Sequence, residues 1–277
     1  MGKSSTSRYT EVIACIAVRM KSKRLPLKPL RVIRGRPMIV HLIERLKSSK
    51  EIGSVVLCTS NNHDDEILVD VARECGIKYV AGSEEDIISR FLEAAEMEGA
   101  EHVVRVTGDN PLTDPGLLDM IVGHHLAANA DYTRMDDVPI GIAPECISID
   151  TLQECAKSIS DDPGKSEYMM LYLYAPERFH VEVVELPSEF RRPFYSVTVD
   201  TPKDLERVRG IYQQLYHSGR IIGWKEVIEY MDRNPEDHVI SPDAVIKMPD
   251  KQAMTFSEWT ALIKERREQS RRKLVNL

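Results

Sequence analysis

Cysteine is sparse and unpatterned in this chain. The five thiols, Cys15, Cys58, Cys75, Cys146 and Cys155, are odd in number and no pair stands in C-x-x-C spacing. That argues against a disulfide framework or a zinc site and reads as reduced, buried thiols in a cytoplasmic protein. No apolar run approaches the roughly 20 residues that cross a bilayer, and no signal-peptide layout opens the chain. The leading MGKSST matches the short N-myristoylation pattern, but a polar leader explains it more simply. Positive charge is the minority sign: Lys plus Arg is 37 against 44 for Asp plus Glu, a net of −7, which argues against a general nucleic-acid binder. Nothing repeats at a fixed period.

Within that acidic chain one segment is strongly cationic. Val12 to Val18 is short, apolar and β-branched, as a strand buried in a parallel sheet should be. Arg19, Lys21, Lys23, Arg24 and Lys28 follow at once, with Pro26 and Pro29 stiffening the backbone. Ligands of open α/β sheets bind beyond the carboxyl ends of strands, so such a loop would meet a polyphosphate; a merely solvated loop carries the same charges. Further apolar runs alternate with helical patterns. Strands are expected at Val55 to Thr59, Lys78 to Ala81, His102 to Thr107, Ile140 to Ile149, Phe179 to Leu186 and Tyr195 to Val199. Helices are expected at Asp65 to Cys75, Glu84 to Met97, Asp114 to Leu126, Asp204 to Tyr216 and Trp224 to Met231. At 277 residues this is one large α/β domain with an appendage.

Two aspartates stand where strands end. Asp109 follows His102 to Thr107, with Gly108 allowing a close backbone approach to a ligand, and Asp200 follows Tyr195 to Val199. Converging carboxylates suit Mg²⁺ shared with phosphate oxygens. The alternative is a pair of helix caps, and Asp200 before Thr-Pro fits that description.

VRMKSKRLPLKPL resembles A-R-x-x-S-x-R-L-P-x-K-x-L, the first motif of the cytidylyltransferases that make CMP-activated acidic sugars, above all the spore coat polysaccharide biosynthesis protein F branch. Arg19, Ser22, Arg24, Leu25, Pro26, Lys28 and Leu30 match in register, Val18 replaces the leading Ala, and Gly35, Pro37 and Met38 continue the match. Sugar-1-phosphate nucleotidyltransferases use a Gly-Gly-rich loop instead, and this chain has no glycine between Met20 and Arg34. GSEEDIISRFLEAA resembles the family's G-x-x-x-D-x-x-x-R-x-x-x-A-A, although Asp86 and Arg90 also suit a plain i,i+4 pair. PIGIAPECISIDTL retains Pro139, Gly141 and Glu145 of the acceptor motif. In KSEYMMLYLY, Glu167 and Tyr172 survive while Tyr168, Met169, Met170 and Leu171 depart, and Ser196 stands where an arginine is usual.

The resemblance implies a three-layer α/β/α, nucleotide-diphospho-sugar transferase-like (GT-A/Rossmann-like) fold with a mainly parallel mixed sheet over residues 9–240. Within it, an insertion at 139–190 would supply the acceptor wall and a homodimer contact. It implies CTP and an anionic small-molecule acceptor as partners, pyrophosphate release, and Mg²⁺ held by Asp109 and Asp200. Arg19, Arg24 and Lys28 would join those aspartates in catalysis. Ser22, Thr59, Ser60, Arg90 and Gly108 would complete the nucleotide site, with Thr59 and Ser60 equally readable as a turn and cap. Gly141, Glu145, Glu167 and Tyr172 would contact the acceptor. Arg134, Arg191 or Arg192 would compensate for the missing acceptor cations. A glycosyltransferase of the same architecture is disfavoured by the absence of D-x-D, and a degenerate scaffold by the retained aspartates and loop cations. Beyond the resemblance lie residues 241–277: a linker from Ser241 to Lys251, then an amphipathic helix opened by the capping box Thr255 to Glu258. That helix would pack Phe256, Trp259, Leu262 and Ile263 on the core or a partner subunit and leave the run KERREQSRRK solvated.

Overall fold

The computed structural model describes residues 11–248 and 253–275, so the MGKSST leader and residues 249–252 lie outside it. The chain opens on β1 (Val12–Ala17), followed by the basic loop, a 3-10 turn at Lys28–Leu30 and the small hairpin β2 (Val32–Ile33) and β3 (Arg36–Pro37). Next come α1 (Met38–Lys47), β4 (Ser54–Ser60), α2 (Glu66–Glu74), β5 (Lys78–Gly82), α3 (Ile87–Glu98), β6 (His102–Thr107) and α4 (Pro115–Ala128). The second half holds β7 (Tyr132–Met135), β8 (Glu145–Ser148), α5 (Ile149–Ser158), α6 (Met170–Leu173), β9 (Val181–Val184), α7 (Pro202–Leu215), α8 (Trp224–Arg233) and α9 (Pro235–His238). It closes with β10 (Val245–Lys247), β11 (Ala253–Thr255) and α10 (Phe256–Val275).

The main sheet has seven strands in the order β5-β4-β1-β6-β8-β7-β9, and only β8 runs antiparallel to its neighbours. β1 is paired on both edges, by β4 and β6, which is why its sequence is a continuous apolar run. Alternation along β1 separates the two cores. Val12, Ala14 and Ile16 face the cluster closed by α1, α2, α4, α7 and α8, while Ile13 and Cys15 face the one closed by α3, α5 and α6. The result is the expected three-layer α/β/α arrangement.

Local signals mostly act as read. Asp114 accepts from Gly116 N and Leu117 N at 2.9 and 3.1 Å, capping α4 with Pro115 in its first turn, and Gly76 leaves α2 at φ +64°. Three expectations need correction. Tyr195 to Val199 does not return to the sheet: it makes only isolated bridges, Ser196 to Ile140 and Tyr195 to Val239, because its backbone bonds go to loops on both sides. The strand expected from Ile140 is confined to β8, since Gly141 at φ +90° breaks it, and the polar-interrupted β7 went unread. The expected linker forms β10, which pairs with β11.

Candidate active site

The basic loop leaves β1 and is clamped from beneath. Asp65, 2% exposed, accepts from the backbone N–H of Met20 at 2.6 Å and from the Ser60 hydroxyl, so the end of β4 holds the loop in place. Within the loop, the Ser22 hydroxyl accepts from Leu25 N at 3.3 Å and so shapes the turn. Lys28 then reaches across the sheet ends. Its ammonium lies 3.1 Å from Asp109 Oδ2 and 3.0 Å from Asp200 Oδ1, and Arg24 pairs with the other Asp200 oxygen at 3.1 Å. Burial works to lower the Lys28 pKa, but the two carboxylates outweigh it and the net shift is upward.

Neither aspartate caps a helix. Thr201 is the N-cap of α7 and exchanges reciprocal hydrogen bonds with Asp204, while Asp114 caps α4. Asp109 is instead aimed by Thr107, whose hydroxyl donates to Asp109 Oδ1 at 2.6 Å and accepts from Asn110 Nδ2 at 2.8 Å. Two carboxylates, one beyond the end of β6 and one just before α7, therefore converge on one cation. That hard-oxygen pair fits Mg²⁺ that draws its remaining ligands from phosphate and water; no group of three or more His, Cys, Asp or Glu suited to holding a metal occurs among the described residues.

Arg19 and Lys21 turn the other way, to Glu84 at 3.4 and 3.1 Å, and Arg19 also meets Glu167 at 3.6 Å. Hydrogen bonds from Lys21 and Asn62 hold the Glu84 carboxyl below its usual pKa. These residues border a polar cleft of about 370 Å³ that Glu167 shares with a second, of about 350 Å³. Thr107, Asn110 and Gly141 line the second cleft, and so do Arg105, Arg134 and Glu145. A Cβ at Gly141 would fall 2.6 Å from both Asn110 Oδ1 and Thr198 Oγ1, so only glycine lets the 139–145 segment lie there. Asn110 Oδ1 and Arg134 Nη1 have no hydrogen-bond partner among the described residues.

Several expected contacts are placed otherwise. Thr59 and Ser60 are buried; Ser60 is committed to Asp65 and so supports the loop from below, while the Thr59 hydroxyl has no hydrogen-bond partner among the described residues. Arg90 is 3% exposed and donates to Cys58 O at 3.1 Å, tying α3 to β4; burial lowers its pKa. Gly108 makes room for Val18, whose Cγ2 would lie 2.6 Å from an added Cβ, so the close approach is between strands. Glu145 lines the second cleft, but Tyr132 and Arg105 bind its carboxylate at 2.8 and 2.9 Å; the arginines outweigh burial and keep its pKa low. Tyr172 packs on the second core and is absent from the cleft lining. Arg191 and Arg192 are held by Glu185 and Asp232, which leaves Arg134 as the cleft arginine of the three.

The family model described as Cytidylyltransferase matches residues 13–221. The chain belongs to the cytidylyltransferase family. It is 31% identical over 231 residues to the spore coat polysaccharide biosynthesis protein SpsF of Bacillus subtilis (strain 168), covering 82% of this chain and 96% of that protein. Over 121 residues it is 33% identical to 3-deoxy-manno-octulosonate cytidylyltransferase 2 of Hydrogenovibrio crunogenus, 42% of this chain and 47% of that one. Among solved structures, a cytidylyltransferase from Leptospira borgpetersenii serovar Hardjo-bovis (strain JB197) superposes with a TM-score of 0.75 at 27% identity, covering 83% of this chain and 98% of its own. A CMP:2-keto-3-deoxy-manno-octonic acid synthetase complexed with CTP shares the fold, with a TM-score of 0.57 at 19% identity over 74% of this chain and 99% of that one. The class of activity is accordingly nucleotidyl transfer, and among the described residues no helix is long and apolar enough to cross a membrane.

In this cytidylyltransferase, the roles of Asp65 and Glu84 carry no local sequence signal. Asp65 looks like an acid opening a helix, yet its side chain makes no cap bond and turns inward to the loop. Glu84 sits in an acidic run whose partners are 63 and 65 residues away.

Proposed function

We propose that the protein transfers CMP from CTP to an anionic small-molecule acceptor, an acidic sugar or a phosphorylated or phosphonate compound, with release of pyrophosphate. The observation that carries this is the convergence of Lys28 and Arg24 on two aspartates, Asp109 beyond β6 and Asp200 before α7, neither of which is needed as a helix cap. Asp109 and Asp200 would hold Mg²⁺, which when bound supplies Lewis acidity at the α-phosphate. Lys28 and Arg24, released from the carboxylates when metal and triphosphate arrive, would move their charge onto the phosphates. Arg19 would join them, stabilising the charge that develops on the leaving pyrophosphate. Asp200 stands at the mouth of the site, with its side chain 36% exposed, and can take a proton from the acceptor oxygen as that oxygen attacks phosphorus in line.

The retained first motif and the named relatives support CTP and a place in polysaccharide biosynthesis. A cytoplasmic homodimer through the 139–190 insertion belongs to the same reading. Ile140 and Phe194, exposed apolar side chains near that insertion, are suited to such a contact. The direct test is pyrophosphate release with CTP and Mg²⁺ across a panel of acidic sugars, sugar phosphates and phosphonates. Release that requires both CTP and one acidic acceptor supports the reading; none with any member of the panel overturns it.

A further inference from the structure

The family model ends at residue 221, yet the second cleft is completed by residues beyond it. Ile246 and Met248 of the hairpin, and Phe256, Trp259, Thr260, Ile263 and Lys264 of α10, form its outer face. This face is fastened firmly. Phe256 is 2% exposed, its backbone N–H donates to Ala244 O at 2.8 Å, and its ring meets Phe194. Further along α10, Arg266 donates to Leu171 O and Tyr174 O at 2.9 and 2.8 Å, at the carboxyl end of α6. Arg267 pairs with Asp137 and Glu185, and Arg271 pairs with Glu185 at 2.6 Å. The basic run is therefore no solvated tail: three of its arginines clamp the helix over the cleft.

The charges inside the cleft are otherwise matched. Glu145 is held by Arg105 and Arg134, Asp136 by Arg134 and Tyr174, Asp137 by Arg267, and Glu167 by Arg19. Lys264 is exposed and has no ion-pair partner among the described residues, so it is a cation at the cleft free to meet a ligand. Beside it, the indole of Trp259 and the side chains of Ile263, Met170 and Leu171 give an apolar surface. We propose that the C-terminal hairpin and helix are the outer wall of the acceptor cleft, and that Lys264 and Trp259 select an acceptor carrying an anionic group beside a less polar face. This rests on the cytidylyl-transfer reading and assigns its acceptor specificity to a segment the family model does not contain. An anion paired with Lys264 gains a charge-assisted contact, and a ring or alkyl face laid on Trp259 is removed from water.

The chain has two tryptophans, so Trp224→Phe leaves Trp259 as its single reporter. Methylphosphonate, glycerol 3-phosphate, gluconate and, as the neutral control, glycerol would be titrated at constant ionic strength while Trp259 emission is followed. At least one anion should give a saturable change that glycerol does not, and Lys264→Gln should weaken it roughly ten-fold. The rise in melting temperature caused by CTP with Mg²⁺ should be the same in Lys264→Gln as in the parent. No response to any anion, or a response unchanged in Lys264→Gln, overturns the proposal. Absence of a CTP shift in the parent would instead count against the transfer reading, and the anion response is read separately from it. Should Trp224→Phe fail to fold, the difference between the wild-type protein and Trp259→Phe reports the same signal.

Discussion

The two clefts that meet at Glu167 are built on opposite electrostatic plans. Around the basic loop the outer cations pair with acids at the surface: Arg24 is 66% exposed and Lys21 68%, facing Asp200 and Glu84, while Lys28 beneath them is 15% exposed. Exposed pairs of this kind are worth roughly 0–1 kcal/mol, so a triphosphate with its metal can exchange them at little cost. On the acceptor side, Glu145 and Arg134 are only 13% and 15% exposed and lie within one network with Arg105, Tyr132, Asp136 and Tyr174. Removing one member of a buried pair costs about 3–5 kcal/mol, so that network fixes a shape and does not exchange partners. Exposure thus marks the pairs that a ligand can replace at little cost, and burial the network that holds the cavity's shape; Lys28, 15% exposed like Arg134, stands with the buried charges.

The sharpest way to break this contrast lies at the two aspartates that meet Lys28. Asp109→Asn and Asp200→Asn keep side-chain shape but remove negative charge, so each should lower turnover by roughly 10²-fold or more with little change in melting temperature. Thr201→Ala, which removes the true cap of α7, should do the reverse, costing about 1 kcal/mol of stability and leaving turnover near normal. Near-normal turnover in Asp200→Asn would sink the two-aspartate site.

Glu145→Gln tests the buried network. Arg105 and Arg134 would lose their common carboxylate, and the melting temperature should fall by roughly 5–10 °C while the CTP-induced shift survives. A smaller effect is expected for Asp65→Ala, which leaves the Met20 N–H without its buried acceptor. About 1–3 kcal/mol of stability should be lost, and the KM for CTP should rise more than kcat falls, since the loop is loosened and not discharged. Equal KM for the variant and the parent would show that the clamp does not position the loop.

The smallest effect concerns two histidines outside both clefts. Burial lowers His125 to about 3 and His238 to about 4, from an ordinary 6.5. The unfolded chain takes up protons that the folded one refuses, so stability present above 6.5 is lost as pH falls toward those values. Each should cost somewhat under about 1 kcal/mol between pH 7 and pH 6, and His125→Asn should flatten the slope of melting temperature against pH. A flat wild-type profile would contradict the burial of both rings.

What could be read from the sequence follows the range of the interactions. β1, its cationic loop and Asp109 beyond β6 are local patterns, as are the caps at Asp114 and Thr255, and these take the forms expected of them; Asp200 follows a segment that forms no strand. Arg90 reads as a nucleotide contact or as an i,i+4 partner of Asp86, because neither residue type signals that its helix face is buried against β4. Asp65 bonds a residue 45 positions away, and Arg267 meets Asp137 across 130. No window on the sequence contains both members of such a pair. The second cleft is therefore legible only at scattered positions such as Gly141, Glu145 and Glu167: its walls come from β6, β7, the 137–145 segment, the 167–171 turn and α10, and become neighbours only when the sheet is assembled.

Nucleotide choice bears most directly on the transfer reading. A ligand stabilises the fold in proportion to its occupancy, so melting temperature with Mg²⁺ and each of CTP, ATP, GTP and UTP at equal concentration ranks their binding. CTP should give the largest rise, and Asp109→Asn should reduce it. Equal shifts from all four nucleotides would contradict a cytidylyl donor and leave only a general polyphosphate site at the ends of β1 and β6.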